Sequence, residues 1–143
     1  MTTVSEILGI NYIVIAPTLA LLLTVIVLLF CTITISTPMY VKKYVSFMGI
    51  LLTLFTIFLK FGLFLTDGVS SYFTEKILLD EFSLVGNVII GMVLLFTFNS
   101  FWKTSEMIEN KTTEALILVL MSASGFLLMV DAENFIMLFI GLE

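Results

Sequence analysis

The chain has 143 residues, of which 60% are apolar and 12% charged, and its mean hydropathy is +1.21. That excludes a soluble globular domain, whose surface needs polar cover that this composition does not supply. Six lysines and no arginine against eleven acids argue against a nucleic-acid partner, and the absence of histidine with a single cysteine leaves no ligand set for haem, zinc or an iron–sulfur cluster.

Met1 to Ile10 carries Glu6 and no basic residue. The apolar stretch behind it is too long for a signal-peptide core, so it reads as a retained helix. A membrane span needs about 20 mainly apolar residues. The first candidate is 12–35, with Pro17 in its opening turns, where a missing N–H is tolerated. The second is 44–65, interrupted only by Lys60, and the third is 82–102, softened by Asn87, Thr97, Asn99 and Ser100. The fourth, 115–130, is short but uncharged, and a fifth starts at 134 and runs to 143. The connectors carry Thr37-Pro38 and Lys42-Lys43, then Asp67 to Glu81 with Gly68, Ser70 and Ser71, then Lys103 to Glu114, then Asp131 to Asn134. Such short connectors favour antiparallel neighbours, and every spanning element must be helical, because an open sheet edge cannot survive in lipid. The expectation is an all-α integral membrane protein, one membrane domain over 1–143.

Lysines predict the orientation. Lys42 and Lys43 lie between helices one and two, Lys103 and Lys111 between three and four, and the opposite side has Lys76 alone. The positive-inside rule therefore places the N-terminus outside. Lys60 then falls near the outer end of helix two, where a lysine snorkels to the headgroups; a proton-path role is the competing reading. Asp131 and Glu133 read as solvated acids of an outer turn and Asn134 as the cap of helix five. Ser122, Ala123, Ser124 and Gly125 form a small-residue patch suited to close helix packing, Asn87 is a candidate for a bond to a neighbouring helix, and Cys31 is a small buried hydrophobe. The fourteen Phe and eight Met read as lipid- and core-facing bulk.

The closing stretch, Asp131-Ala132-Glu133-Asn134-Phe135-Ile136-Met137-Leu138-Phe139-Ile140-Gly141-Leu142-Glu143, carries a carboxylate at the end of an apolar run. Glu143 lies nine residues beyond Asn134, about 13–14 Å along a helix, and half of a hydrocarbon core is about 15 Å. A straight helix brings it close to the midplane. An apolar setting favours the neutral acid and a nearby cation favours the carboxylate, so a glutamate there can be toggled between proton-bound and proton-free forms. The competing reading is a frayed terminus facing water. A helix ending in mid-membrane would strand about four carbonyls in lipid, which points to a polypeptide that continues.

Ala115 to Glu143, "ALILVLMSASGFLLMVDAENFIMLFIGLE", resembles the fourth and fifth helices of subunit N of bacterial NADH:quinone oxidoreductase (respiratory complex I), an antiporter-like family. Gly125 matches the glycine of helix four, Ala132 the alanine of the connector, and Leu138-Phe139-Ile140-Gly141-Leu142-Glu143 the run of helix five. Asp80-Glu81-Phe82-Ser83 is similar to the family's entry into helix three. The connector departs from the pattern, with acids where the family has Ser, Asn or His, and related subunits L and M and multisubunit sodium/proton antiporters share a version of the motif.

The resemblance implies an antiporter-like transmembrane helical bundle, four full helices and a truncated fifth, as the N-terminal fragment of a subunit of about fourteen helices. It implies proton translocation coupled to quinone reduction, with Glu143 as the proton-path carboxylate and a partner lysine on a later helix not contained in these residues. The chain itself would bind no cofactor or metal; NADH, flavin, iron–sulfur clusters and quinone belong elsewhere in such a complex. Expected partners are the other membrane subunits and the lipid, in the inner membrane of a bacterial cell. The alternatives are a sodium/proton antiporter subunit and a small structural or assembly protein without a transport path.

Overall fold

Four helices each carry a stretch long and apolar enough to cross a membrane: Tyr12–Ile33, Tyr40–Thr66, Glu81–Trp102 and Thr113–Val130. The computed structural model describes residues 4–34, 38–67, 70–72, 77–104 and 109–143. Its helices are α1 (Val4–Thr34), α2 (Met39–Asp67), α3 (Glu81–Thr104), α4 (Glu109–Val130) and the short α5 (Phe135–Leu142). Between α2 and α3 lie two strands, β1 (Ser70–Tyr72) and β2 (Ile77–Leu79). The protein is an all-α membrane bundle with a small extramembrane hairpin. Of the connector residues weighed in the sequence, Thr37, Gly68, Glu75 and Lys76 lie outside the described residues.

The helices outrun the hydropathy windows, because a helix needs no apolar side chains once it leaves the hydrocarbon. α1 starts at Val4, which puts Pro17 in its interior rather than in its opening turns. A proline there removes one backbone donor of the helix, and beside it Thr18 Oγ1 donates to the Ile15 carbonyl at 2.7 Å. α2 starts directly after Pro38, so Lys42 and Lys43 belong to its first turns rather than to a loop. Hydroxyls elsewhere also return to their own helix: Thr24 to Ala20, Thr53 to Gly49, Ser124 to Met121. In lipid that satisfies each of these hydroxyl donors.

α1, α2, α3 and α4 close into a ring in which each packs on two neighbours, and α5 packs on α4. Leu21, Val25 and Leu28 of α1 meet Ile50 of α2, Leu94 and Phe98 of α3, and Leu116, Leu120 and Leu127 of α4 in one buried core. The outward faces are as apolar as the core, with Phe30, Phe58, Phe96 and Leu118 exposed. Only lipid or further apolar helix can cover such a surface.

The connector from 67 to 81, read in the sequence as irregular, contains the hairpin. β1 and β2 pair antiparallel with Ser70 opposite Leu79 and Tyr72 opposite Ile77. Ile77 also bridges to Ala132 in the α4–α5 turn, and Ile77 and Leu79 are buried. Their alternate side chains cap the end of the bundle, which a pattern of only three residues per strand does not announce.

Candidate functional site

α5 is short but well defined. Asn134, in extended backbone at φ −127° and ψ 161°, accepts from the Met137 N–H at 3.0 Å and caps the helix, as expected from the sequence. The helix folds back along α4 with glycine facing glycine. A methyl on Gly125 would sit 2.5 Å from the Gly141 carbonyl oxygen, and one on Gly141 would sit 2.9 Å from that of Gly125. Only paired glycines permit this approach, so the small-residue patch is a packing seam at Gly125.

Glu143 follows the last turn, its backbone N–H bonded to the Phe139 carbonyl at 3.2 Å. The residue is exposed and lines an open groove of about 520 Å³ with Leu22, Met121, Ser122 and Gly125 among its neighbours. Met121 and Ser122 are the central pair of the Thr113–Val130 span, and Leu22 is central in Tyr12–Ile33. The Gly125–Gly141 crossing, two residues before Glu143, brings this residue beside the middle stretch of α4. No cation pairs with it among the described residues. The groove walls are mainly apolar with Ser122 and Ser124 among them, and of the described residues that line it Glu143 alone has an ionisable side chain.

A second polar centre lies at the hairpin end. Asp80 caps α3, its Oδ1 accepting from the Ser83 N–H at 2.7 Å. That cap fixes the first turns of α3 and turns Ser83 and Asn87 inward, one above the other at a spacing of four. Both donate to Asp131 Oδ1, the Ser83 hydroxyl at 2.5 Å and Asn87 Nδ2 at 2.9 Å. Lys60 Nζ of α2 approaches Asp131 Oδ2 at 2.6 Å and donates to Ser83 Oγ at 3.4 Å. Lys60, Ser83 and Asn87 are fully buried and Asp131 is 4% exposed. The carboxylate thus accepts three bonds, one from an ammonium, which is the satisfaction a buried charge requires. Asn87 Oδ1 has no donor among the described residues, and exchanging the amide's ends would set an oxygen against the carboxylate.

Two expectations are corrected here. Lys60 does not snorkel to the headgroups: a carboxylate at its own depth offers a shorter route to neutralisation. Asp131 is not a solvated turn acid, because the α4–α5 turn is folded inward onto α2 and α3. Glu133, two residues on, is exposed. Asn87 does bond a neighbouring element, as its position inside a span suggested. The signal for the pair was present. In an antiparallel bundle Lys60, near the end of α2, and Asp131, at the end of α4, are opposite charges on the same side.

Among the described residues no three His, Cys, Asp or Glu side chains come together to hold a metal. The Glu143 groove offers a proton acceptor in an apolar wall; the Lys60 cluster offers a neutralised ion pair.

No family model matches the chain. Over 88 residues it is 33% identical to NADH-quinone oxidoreductase subunit N of Campylobacter concisus (strain 13826). The aligned stretch takes in 61% of this chain and spans 18% of that relative's length. The chain is therefore similar to a small part of one subunit of an NADH-quinone oxidoreductase.

Proposed function

We propose that these residues are the N-terminal part of a subunit-N-type membrane subunit of a proton-pumping NADH:quinone oxidoreductase, in which Glu143 is a proton-path carboxylate. The observation that carries this reading is the seat of Glu143 in a mainly apolar groove beside the middle of α4, past the glycine crossing of α4 and α5. An ionisable side chain within the membrane-spanning part of a protein is expensive to keep and by default marks an ion or proton pathway. The similarity to subunit N over 88 residues supplies the reaction class. In this reading electrons pass elsewhere in the complex, and this subunit, seated among other membrane subunits of a bacterial inner membrane, contributes proton movement. The remaining helices, including the one bearing the partner cation, belong to the rest of the polypeptide.

The test is Glu143→Gln in the full-length subunit, assayed in membrane vesicles. The substitution keeps shape and hydrogen bonding but removes the exchangeable proton. NADH-driven proton pumping should fall at least several-fold at an unchanged level of assembled complex. Pumping at the parental rate would reject the assignment.

A further inference from the structure

Glu143 lies at the far end of α5, which leaves the α4–α5 turn and packs back on α4. Most of α5 is exposed, and its close contact with α4 is the glycine crossing. The direction of that helix is set by this crossing together with the α4–α5 turn, residues 131–134. The turn is gripped from two sides. On one, Ala132 pairs with Ile77 of β2, whose side chain is buried. On the other, Asp131 takes bonds from Lys60 of α2 and from Ser83 and Asn87 of α3. Asn134, three residues after this anchor, starts α5. One carboxylate thus ties α2, α3 and α4 together at the point where α5 departs.

We propose that Lys60 and Asp131 are positioning residues for Glu143: their buried ion pair pins the α4–α5 turn and so fixes the direction and depth of α5. The proposal rests on the reading of Glu143 as a proton-path group for its functional consequence, but not for its geometric content. Its chemistry is specific. Ser83 and Asn87 both donate to the same carboxylate oxygen, leaving the other for the ammonium, so the charge of Asp131 is shared across two helices rather than matched by one. A turn held only by apolar contact would tolerate rotation of Asp131; one held by three directed bonds from two helices does not.

The experiment uses the full-length subunit in its assembled complex, with Cys31→Ser as background. Nitroxide labels at Glu143→Cys on α5 and Phe96→Cys on α3 report the distance between the two helices by double electron–electron resonance. Lys60→Met and the apolar double variant Lys60→Met/Asp131→Leu should broaden or shift this distribution, while Lys60→Arg, which keeps the charge, should retain the parental one. In unlabelled complexes with Glu143 intact, protons pumped per NADH oxidised should fall at least threefold in the double variant and stay within twofold of parental in Lys60→Arg. The double variant carries no lone buried charge and is the arm that keeps its fold if Lys60→Met does not. A parental distance distribution in the double variant overturns the proposal, whatever its pumping. A displaced α5 with undiminished pumping upholds the positioning and rejects the functional role given to Glu143.

Discussion

Lys43 and Lys60 lie on one helix, about 25 Å apart along its axis at 1.5 Å per residue, and they live in opposite surroundings. Lys43 stands half-buried at the Pro38 end of α2. Its ammonium is 5.0 Å from the centroid of the Trp102 ring and 3.5 Å from the Trp102 carbonyl oxygen. Tyr44 meets the same ring edge-on at 6.2 Å, and Phe98 meets it at 5.6 Å. Lys60, at the hairpin end, is sealed from solvent and paired with a carboxylate. Lys43 belongs to the aromatic and basic dressing that anchors helices at a membrane–water interface. Lys60 is a structural charge, tolerable only because Asp131 exists. Hydropathy scores the two alike; what separates them is whether the fold brings an opposite charge to the same depth.

The sharpest way to break this contrast is to remove one buried charge. Lys60→Met leaves Asp131 ionised without its ammonium, and should cost about 3–5 kcal/mol. In the full-length subunit the expected outcome is a large loss of assembled protein and of thermal stability in detergent. A stability within about 1 kcal/mol of parental would show that the buried pair is not a structural charge, and the contrast with Lys43 would collapse.

This is also the part of the molecule that sequence reasoning read least well. The spans, the Asn134 cap and the Gly125 seam were legible because each is a local pattern: a hydrophobic window, an amide before an apolar run, a glycine among small residues. Lys60 and Asp131 are 71 positions apart, and each alone is explained by a bland local rule, a snorkelling lysine and a turn acid. Their pairing depends on the turn folding inward, which in turn depends on a hairpin strand reaching Ala132. Three-residue strands carry too few side chains to show an alternating pattern.

Removing both charges should restore much of what removing one destroys. Lys60→Met/Asp131→Leu replaces the pair by apolar groups of similar volume, and buried pairs so replaced are often neutral in stability. Here the recovery should be incomplete, at least half of the Lys60→Met loss, because Asn87 Nδ2 and the Ser83 hydroxyl both lose the carboxylate to which they donate. A smaller effect is expected at Ser83→Ala, which deletes one hydrogen bond to the carboxylate and keeps the ion pair. A loss of about 1.5–3 kcal/mol, read as a shift in the thermal midpoint, fits a bond to a charged group.

The smallest effect belongs at the other end of the helix. Lys43→Met removes a cation from the Trp102 face and retains a flexible apolar stem, so its loss should be about 0.5–1 kcal/mol or less. A double-mutant cycle with Trp102→Leu isolates the interaction from side-chain bulk, and the same cycle can be run on Lys60 and Asp131. The coupling at Lys43–Trp102 should stay below about 1 kcal/mol, because both groups have water or headgroups as alternative partners. At Lys60–Asp131 it should reach several times that value, since each single removal strands a charge with no alternative. Equal couplings would mean that the hairpin end is as well hydrated as the aromatic end, and that burial, rather than partner choice, had been misjudged.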